Sequence, residues 1–260
     1  MTRVPDWPSP PRQPTLHGRD IHVWRAWLDL PAWLVRDMER LLSPDESERA
    51  RRFRFERDRR RFAVARGFLR EVLGFSTGAH PRELEFRYGP RGKPRLAGEG
   101  DLAFNLSHSE DIAICAVGRG CSLGVDVERI RPFADAQRLA EQFFSPTELA
   151  VFRTVPARDR LLSFFNCWTR KEAWVKATGD GLSRSLDDFD VTLAPGTPAR
   201  LLRVREAPEE AERWTLRDLA PASGYVGAVA IESSEGGLEW SVRCRRWEPH
   251  VSLFAQARLD

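Results

Sequence analysis

The sequence has no apolar run near the roughly 20 residues that a membrane-spanning helix needs, and no hydrophobic signal segment at its start. It has only four cysteines, none in a Cys-x-x-Cys spacing and none near paired histidines, which disfavours zinc and redox motifs. We therefore expect a cytoplasmic protein with no membrane partner, whose cysteines are reduced and mostly structural.

An excess of charge of one sign is also missing, since 41 basic and 38 acidic residues leave a formal net charge of +3. This balance gives no reason to expect wholesale wrapping of nucleic acid or adsorption to a membrane surface. A chain of 260 residues with 42% hydrophobic residues can bury one large core or two smaller ones. The composition is therefore that of a globular protein.

Lysine is scarce, because Lys93, Lys171 and Lys176 are the only lysines among the 41 basic residues. Two of the three flank Glu172 in the segment Trp-Thr-Arg-Lys-Glu-Ala-Trp-Val-Lys, residues 168–176. Composition gives no reason for this pair in a chain that uses arginine almost everywhere else. A compact ammonium group suits phosphate, so the pair predicts a local role in binding an anion.

A second unusual segment alternates acidic and apolar residues. In residues 123–129, Asp126 and Glu128 alternate with Val125 and Val127. The period of two in a strand puts both carboxylates on one face and both valines on the other. The solvated face of an edge strand is the ordinary interpretation of such a pattern, and the local sequence leaves the choice open.

Glu172 lies on the apolar face of a predicted helix. Three large apolar residues share that face at spacings of three or four: Phe165, Trp168 and Val175. A buried carboxylate needs a cation or strong donors to stay charged. The alternative is a surface pair between Glu172 and Lys176, worth about 0.3 kcal/mol. With the two strand carboxylates, Glu172 and Lys176 predict a cradle for Mg²⁺ and a pyrophosphate.

The order of predicted elements occurs twice. A strand, a helix, a capped helix and a long helix follow one another in residues 21–73 and again in residues 123–177. The capped helices both begin with Ser-Pro-x-Glu, at Ser43 and Ser145. The long helices are predicted to end at Gly74 and Gly179. This repeat favours an internal duplication.

The duplication predicts an α+β fold of two similar halves, each a small, mainly antiparallel sheet packed with helices. The halves would form a pseudo-dimer with the site in the cleft between them. The predicted boundaries are an extended proline-rich lead-in (1–15), an N-terminal half (16–120), a C-terminal half (121–250) and a tail (251–260).

Two basic or polar segments precede the alternating strand. Residues 49–70 hold ten arginines against Glu56 and Asp58, and phenylalanines are interleaved with them. Such a stretch is an ordinary solvated face, a phosphate-binding surface or a nucleic-acid-binding surface. In residues 104–109, Ser107 and a second serine flank His108, which indicates a place where short polar groups converge on an anion, although such a histidine is most often structural.

Four motifs occur in a fixed order: Gly-Lys-Pro at 92–94, Phe-Asn-Leu-Ser-His-Ser at 104–109, Gly-Val-Asp-Val-Glu at 124–128 and Trp-x-x-Lys-Glu-Ala-x-x-Lys at 168–176. Together they resemble the 4′-phosphopantetheinyl transferases, specifically the large, pseudo-duplicated surfactin-type branch that activates peptide and polyketide synthases. The resemblance implies a monomeric, Mg²⁺-dependent transferase of secondary metabolite biosynthesis. Such an enzyme moves the phosphopantetheine arm of coenzyme A to a serine of an acyl or peptidyl carrier protein and releases adenosine 3′,5′-bisphosphate.

By this resemblance, Asp126, Glu128 and Glu172 bind Mg²⁺ together with the pyrophosphate of coenzyme A. Lys176 steadies the pyrophosphate and the leaving group, and Glu172 or a water takes the proton from the carrier serine. The resemblance also implies that residues 130–138, with Phe133 exposed, dock the carrier protein. Carrier proteins tend to be acidic, which suits the arginines on this side.

The nucleotide end of coenzyme A is assigned by the same resemblance to the N-terminal half. Its 3′-phosphate and adenosine would be held by Ser107, His108, Arg49 and Arg61, with Lys93 close to the nucleotide. Where family members often have a basic residue one turn ahead of Arg49, this chain has Glu46. Part of the clamp is then missing or supplied by Arg51 or Arg52, and if Glu46 weakens it, Glu46→Lys should tighten coenzyme A binding.

Overall fold

The structure is a computed structural model that describes residues 7–11, 15–179, 181, 184–232 and 239–249. The tail predicted at 251–260 and most of the lead-in lie outside the described residues, as does the start of the last predicted strand at position 238.

The first half of the chain forms a strand, three helices, a hairpin and two more strands: β1 (Asp20–Trp27), α1 (Ala32–Leu41), α2 (Pro44–Arg51), α3 (Glu56–Thr77), β2 (Phe86–Tyr88), β3 (Pro94–Leu96), β4 (Leu102–Ser109) and β5 (Ile112–Arg119). The second half repeats this order: β6 (Leu123–Arg129), α4 (Ala136–Phe143), α5 (Pro146–Thr154), α6 (Ala157–Thr178), β7 (Phe189–Val191), β8 (Leu201–Val204), β9 (Trp214–Leu219) and β10 (Tyr225–Glu232). A last strand, β11 (Ser241–Arg246), follows.

The two main sheets share one strand order, which confirms the predicted duplicated α+β fold. One sheet is ordered β11-β1-β5-β4 and the other β6-β10-β9. In the first half β1 pairs with β5, and β5 pairs with β4. In the second half β6 pairs with β10, and β10 pairs with β9. These pairs are antiparallel. The exception is β11, which pairs in parallel with β1. A strand from the predicted C-terminal half thus completes the sheet of the N-terminal half.

The sheets face each other and bury a shared apolar core. Leu123, Val125 and Val127 of β6 lie in this core with Ile21 and Val23 of β1, all without exposed surface. On the outer faces, α3 packs against the first sheet and α6 against the second. The apolar sides of the helices are turned to these cores, and none of the described helices is long and apolar enough to cross a membrane.

The first long helix ends four residues later than predicted. Helix α3 continues through Gly74 and stops at Gly78, whose φ is 77°. A Cβ at Gly74 would lie 3.0 Å from the carbonyl oxygen of Ala79, so close packing explains the glycine there. Helix α6 ends at Gly179 as predicted, with a φ of 78°.

The two Ser-Pro-x-Glu segments form capping boxes, and in each half the capping glutamate is buried. In the first half, Glu46 accepts hydrogen bonds from Arg70 Nε at 2.7 Å and from Arg66 Nε at 2.8 Å. Arg70 Nη1 also donates to the carbonyl oxygens of Pro81 and Leu84, at 2.8 and 3.1 Å. The 3₁₀ turn Pro81–Glu83 is thereby held against α2 and α3.

The second half builds the same network with lysine. Lys171 Nζ lies 2.8 Å from Glu148 Oε2 and donates to the carbonyl oxygens of Leu186 and Phe189, both at 2.6 Å. These carbonyls again border a 3₁₀ turn, Leu186–Asp188. Lys171 has no exposed surface, so its ammonium group does not face a phosphate. The interpretation of both flanking lysines as anion ligands is therefore wrong for Lys171.

Glu46 is occupied by this network and does not face a nucleotide clamp. Burial alone would raise its pKa, but Arg66 and Arg70 hold the pKa below its ordinary value. We therefore predict that Glu46→Lys destabilises the protein by about 3–5 kcal/mol, because two buried guanidinium groups lose their counter-charge. The measurement is the free energy of unfolding from denaturant titration.

The matched control is Glu48→Lys on the same helix, where the carboxylate is 58% exposed and pairs with Arg52. This change should alter the free energy of unfolding by less than about 1 kcal/mol. Unchanged stability of Glu46→Lys together with tighter coenzyme A binding would contradict the structural role of Glu46 in this network.

Candidate active site

Strand β6 presents its two carboxylates on one face, as the alternation predicts. Asp126 is 3% exposed and Glu128 is half-buried, whereas Val125 and Val127 enter the core between the sheets. Strand β6 is at the edge of the sheet β6-β10-β9, but the alternative of a solvated face is wrong, because Asp126 is buried and Glu128 is half-buried.

Gly124 allows helix α6 to approach this strand closely. A Cβ at Gly124 would overlap the carbonyl oxygen of Ala173 and the backbone nitrogen of Ala177, so no other residue fits without moving α6. The contact brings Glu172 and Lys176, one helical turn apart, next to Asp126. The close packing of strand and helix thus assembles the predicted groups.

Lys176 neutralises one oxygen of Asp126 and leaves the other without a partner. Lys176 Nζ lies 2.5 Å from Asp126 Oδ1, and the Ser107 hydroxyl donates to the same oxygen at 2.8 Å. Asp126 Oδ2 is buried and has no hydrogen-bond partner among the residues that the structure describes. A buried carboxylate oxygen in this state is costly unless a donor or cation meets it.

The other two carboxylates share this excess of negative charge. Burial raises the pKa of Glu172, the charge of Asp126 adds to the effect, and Lys176 opposes it. Burial also raises the pKa of Glu128, against the effect of the Ser109 hydroxyl, which donates to Glu128 Oε2 at 2.6 Å. Both carboxylates would gain from a further cation in the cleft.

The predicted three-carboxylate cradle is not closed. Within the described ranges, no three carboxylate, histidine or cysteine side chains come close enough to enclose a metal ion. In this arrangement the Lys176 ammonium contacts one oxygen of Asp126. The donor set nevertheless fits Mg²⁺, which prefers hard carboxylate oxygens and keeps several positions for water or phosphate, and the buried Oδ2 lacks a cation.

Every second side chain of β4 forms a hydrogen bond to β6, so this strand connects the β6 carboxylates to the first half of the molecule. Asn105 Oδ1 accepts from the backbone nitrogen of Val125 at 2.9 Å, and Ser107 and Ser109 donate to the two β6 carboxylates. Sequence reasoning gave no role to Asn105 and placed Ser109 only in a cluster of polar groups around His108, although the period of two that both share with Ser107 was a visible signal. The Ser107 hydroxyl, assigned by resemblance to the nucleotide end, is directed at Asp126 instead.

His108 lies on the opposite face of β4, in a cavity of about 280 Å³ that Arg61 also lines. Arg61 donates from Nε and Nη2 to the two carboxylate oxygens of Asp29, at 2.9 and 2.8 Å. Its Nη1 lies 3.6 Å from Glu110 Oε2. The His108 side chain is exposed on one side. Its pKa is nevertheless lowered, mainly by partial burial of the ring and also by the Lys176 ammonium. The structure thus brings together the two predicted clamp residues His108 and Arg61.

The remaining predicted clamp residues are placed differently. The Arg49 guanidinium lies 5.3 Å from the ring centroid of Phe62, a residue that lines the His108 cavity, so Arg49 is near its edge. Lys93 lines another cavity and donates to the carbonyl oxygens of Leu123 and Ala177, at 3.1 and 2.9 Å. Burial lowers the pKa of Lys93 to about 8. Lys93 therefore joins the end of α6 to β6, and the described contacts do not direct it at the His108 cavity.

The predicted docking segment 130–138 borders an apolar groove. Phe133 is half-buried, with its ring 5.2 Å from that of Phe164 and 5.8 Å from that of Phe165, so the prediction of an exposed Phe133 is wrong. The groove, about 250 Å³, also includes Glu128 and Trp168. The aromatic cluster thus reaches the carboxylate site.

Two family models match the two halves separately. Residues 27–119 match the model described as "4′-phosphopantetheinyl transferase, N-terminal". Residues 122–230 match the model described as "4′-phosphopantetheinyl transferase superfamily". The boundary between the two matches lies where β5 ends and β6 begins. Both models describe one class of enzyme.

Individual relatives extend this agreement over most of the chain. The chain is 41% identical to the 4′-phosphopantetheinyl transferase HetI of Nostoc sp., over 90% of this chain and 94% of that protein. It is 31% identical to a phosphopantetheinyl transferase of Thraustochytrium sp., over 85% and 83% of the two chains. It is also 31% identical to the 4′-phosphopantetheinyl transferase Sfp of Bacillus subtilis, over 58% and 66%. The chain therefore belongs to the 4′-phosphopantetheinyl transferase superfamily, in its large, surfactin-type branch of enzymes.

We predict that Gly124→Ala separates α6 from β6 and lowers the free energy of unfolding by about 3 kcal/mol, the upper end for an overpacked core. The added methyl group meets backbone atoms, which cannot rotate away as a side chain can. The control is Gly100→Ala, where a Cβ would meet nothing within 4 Å. A Gly124→Ala protein as stable as the control would contradict the close helix–strand contact.

Proposed function

We propose that this enzyme transfers the 4′-phosphopantetheine arm of coenzyme A to a serine of an apo acyl or peptidyl carrier protein, with Mg²⁺ held by Asp126, Glu128 and Glu172. The product nucleotide is adenosine 3′,5′-bisphosphate. The observation that carries the proposal is the buried Asp126 Oδ2 without a partner, within a group of carboxylates at the junction of the two halves. Membership of the family supports the same reaction.

The reaction forms a bond between the carrier serine oxygen and the phosphorus that bears the pantetheine arm, and it breaks the bond from that phosphorus to the bridging oxygen. When bound, Mg²⁺ supplies positive charge to the pyrophosphate. Glu172 takes the serine proton, directly or through a water. Lys176, half-buried beside Asp126, offers its ammonium to the pyrophosphate and the leaving group.

The nucleotide end of coenzyme A enters the cavity at His108 and Arg61, which supply donors to the 3′-phosphate. The pyrophosphate then extends toward Lys176, whose charge already acts on His108. The carrier protein docks at residues 130–138, beside the apolar groove and the exposed arginines Arg131 and Arg138. Their charge suits an acidic carrier of a peptide or polyketide assembly line. The enzyme acts as a monomer, because both halves of the site lie in one chain, and its proposed location is the cytoplasm.

The nucleic-acid alternative rests on the arginines of residues 49–70, and many of these are neutralised within the fold. Arg66 and Arg70 pair with Glu46, and Arg61 pairs with Asp29. Guanidinium groups held by carboxylates release fewer counterions from a polynucleotide. The ion pairs therefore favour the transferase over the nucleic-acid alternative.

We predict that incubation with coenzyme A and Mg²⁺ adds the mass of one phosphopantetheine arm to at least one member of a panel of apo carrier proteins. Excess chelator should abolish the gain and added Mg²⁺ should restore it, because the site carboxylates need a divalent cation to accept a pyrophosphate. Intact mass spectrometry of the carriers gives the measurement. Full activity in chelator would remove the metal from the proposal, and a carrier with its serine replaced serves as the control.

We predict that Asp126→Asn and Glu172→Gln each lower kcat by about 10²–10⁴-fold, through loss of a metal ligand and, for Glu172, of the base. Steady-state transfer assays measure the effect, with the thermal unfolding temperature as a check on folding. The control is Asp159→Asn at the start of α6, remote from the cleft. A near-normal rate for Glu172→Gln would leave Glu172 as no more than a helix ion-pair partner.

A further inference from the structure

The cavity beside His108 contains a second guanidinium group that the family resemblance did not assign. Arg57 lines this cavity one helical turn before Arg61, on the same face of α3. The expected substitutes for the cation absent at Glu46 were Arg51 and Arg52, and neither lines the cavity. Arg57 is therefore the candidate that the geometry supplies.

The other cation in the cavity is already compensated. Arg61 makes two hydrogen bonds with Asp29 and lies near Glu110, so two carboxylates face its single charge. A phosphate that met Arg61 alone would meet this acidic pair as well. A site for a dianionic phosphate here needs more positive charge than Arg61 provides.

Arg57 is compensated less fully than Arg61 and can supply that charge. Its side chain is 69% exposed, and its one ion pair in the described part of the chain joins Nε to Asp58 Oδ1 at 3.5 Å. Among the described residues, the two terminal nitrogens of Arg57 have no hydrogen-bond partner. By contrast, Nη2 of the neighbouring Arg60 donates to the Leu30 carbonyl oxygen. Arg57 thus holds two parallel donors at the cavity, the arrangement that binds a phosphate in a bidentate manner.

The position of Arg57 in the fold adds to its suitability. It lies in the first turn of α3, whose N-cap, Phe55, makes no side-chain hydrogen bond to the backbone nitrogens. The positive end of the helix dipole lies in the same region, where Glu56 and Asp58 of the first turn offset part of it. Arg57 also contributes to the lowered pKa of Asp29, for which the Arg61 hydrogen bonds are the main cause, so its charge acts on the cavity.

We propose that Arg57 binds the 3′-phosphate of coenzyme A and supplies the positive charge that the cavity lacks beside the compensated Arg61. The inference rests on the proposed function, because it assumes that the His108 cavity receives the nucleotide end of coenzyme A. Arg57 is thereby a residue that determines specificity for coenzyme A over its dephospho form.

The duplication provides a matched control for a test. Arg158 occupies the corresponding place in the first turn of α6, and its Nε pairs with Asp159 Oδ2 at 3.4 Å, as that of Arg57 pairs with Asp58. Its side chain is 85% exposed, and it does not line the His108 cavity. Arg57→Gln and Arg158→Gln therefore remove the same local ion pair and the same charge.

The experiment is calorimetric titration of the wild type and both variants with coenzyme A and with dephospho-coenzyme A, with Mg²⁺ and without carrier protein. We expect Arg57→Gln to raise the Kd for coenzyme A about tenfold and to leave the Kd for the dephospho form within twofold of the wild type. Arg158→Gln should change neither value, and Arg57→Lys should keep most of the affinity. All variants should unfold at the wild-type temperature, since both side chains are exposed.

The outcomes separate the two levels of the proposal. Equal Kd values for coenzyme A in Arg57→Gln and Arg158→Gln, or equal losses for both ligands in Arg57→Gln, overturn the role of Arg57 and leave the transferase proposal standing. A wild type that binds neither ligand and transfers no phosphopantetheine overturns the proposed function, and the role of Arg57 with it.

Discussion

A buried carboxylate neutralised by a cation of the next long helix is the interaction on which each half of the molecule depends. In the second half, Glu148 and Lys171 form this pair, and Lys171 also binds two carbonyls of a 3₁₀ turn. Removing one partner would leave an uncompensated charge in the core, which is among the most destabilising changes available. Because Lys171 is fixed toward α5 and β7, the next residue, Glu172, is turned toward β6 and the cleft, about 100° further round the helix. The structural pair thereby orients Glu172, the proposed catalytic base.

The two halves have kept this network and differ in what lies beside it. Arg70 and Glu71 correspond to Lys171 and Glu172, because the two pairs occupy the same positions in their 22-residue helices. Glu71 is fully buried and accepts a hydrogen bond from the Trp247 indole at 2.8 Å. Strand β1, the counterpart of β6, presents apolar residues such as Trp24 to the α3 side. Strand β6 instead presents its carboxylates to α6. Among the described residues, the carboxylate site therefore occurs in the second half and has no counterpart in the first, where apolar packing fills the equivalent place.

Features set by local sequence were predictable. The capping boxes at Ser43 and Ser145, the alternation on β6 and the end of α6 at Gly179 depend on contacts within a few residues, which a sequence pattern records. Features set by distant contacts were not. The burial of Lys171, the helical position of Gly74 and the parallel pairing of β11 depend on residues far away in the chain. The hydrogen bond from Ser107 to Asp126 was not predicted for the same reason, since Asp126 belongs to the other half.

Strand β4 sets the relation between recognition and chemistry in the proposed reaction. Its odd-numbered side chains, Ser107 and Ser109, hold the β6 carboxylates, and His108 between them faces the nucleotide cavity. Because successive side chains of a strand point to opposite faces, β4 fixes the position of the His108 cavity relative to the β6 carboxylates. The strand belongs to the first sheet and the carboxylates to the second, so the distance between them is fixed by the core that the sheets share. In the proposed reaction, the core shared by the two sheets therefore holds the His108 cavity of the first half in a fixed position relative to the β6 carboxylates of the second half.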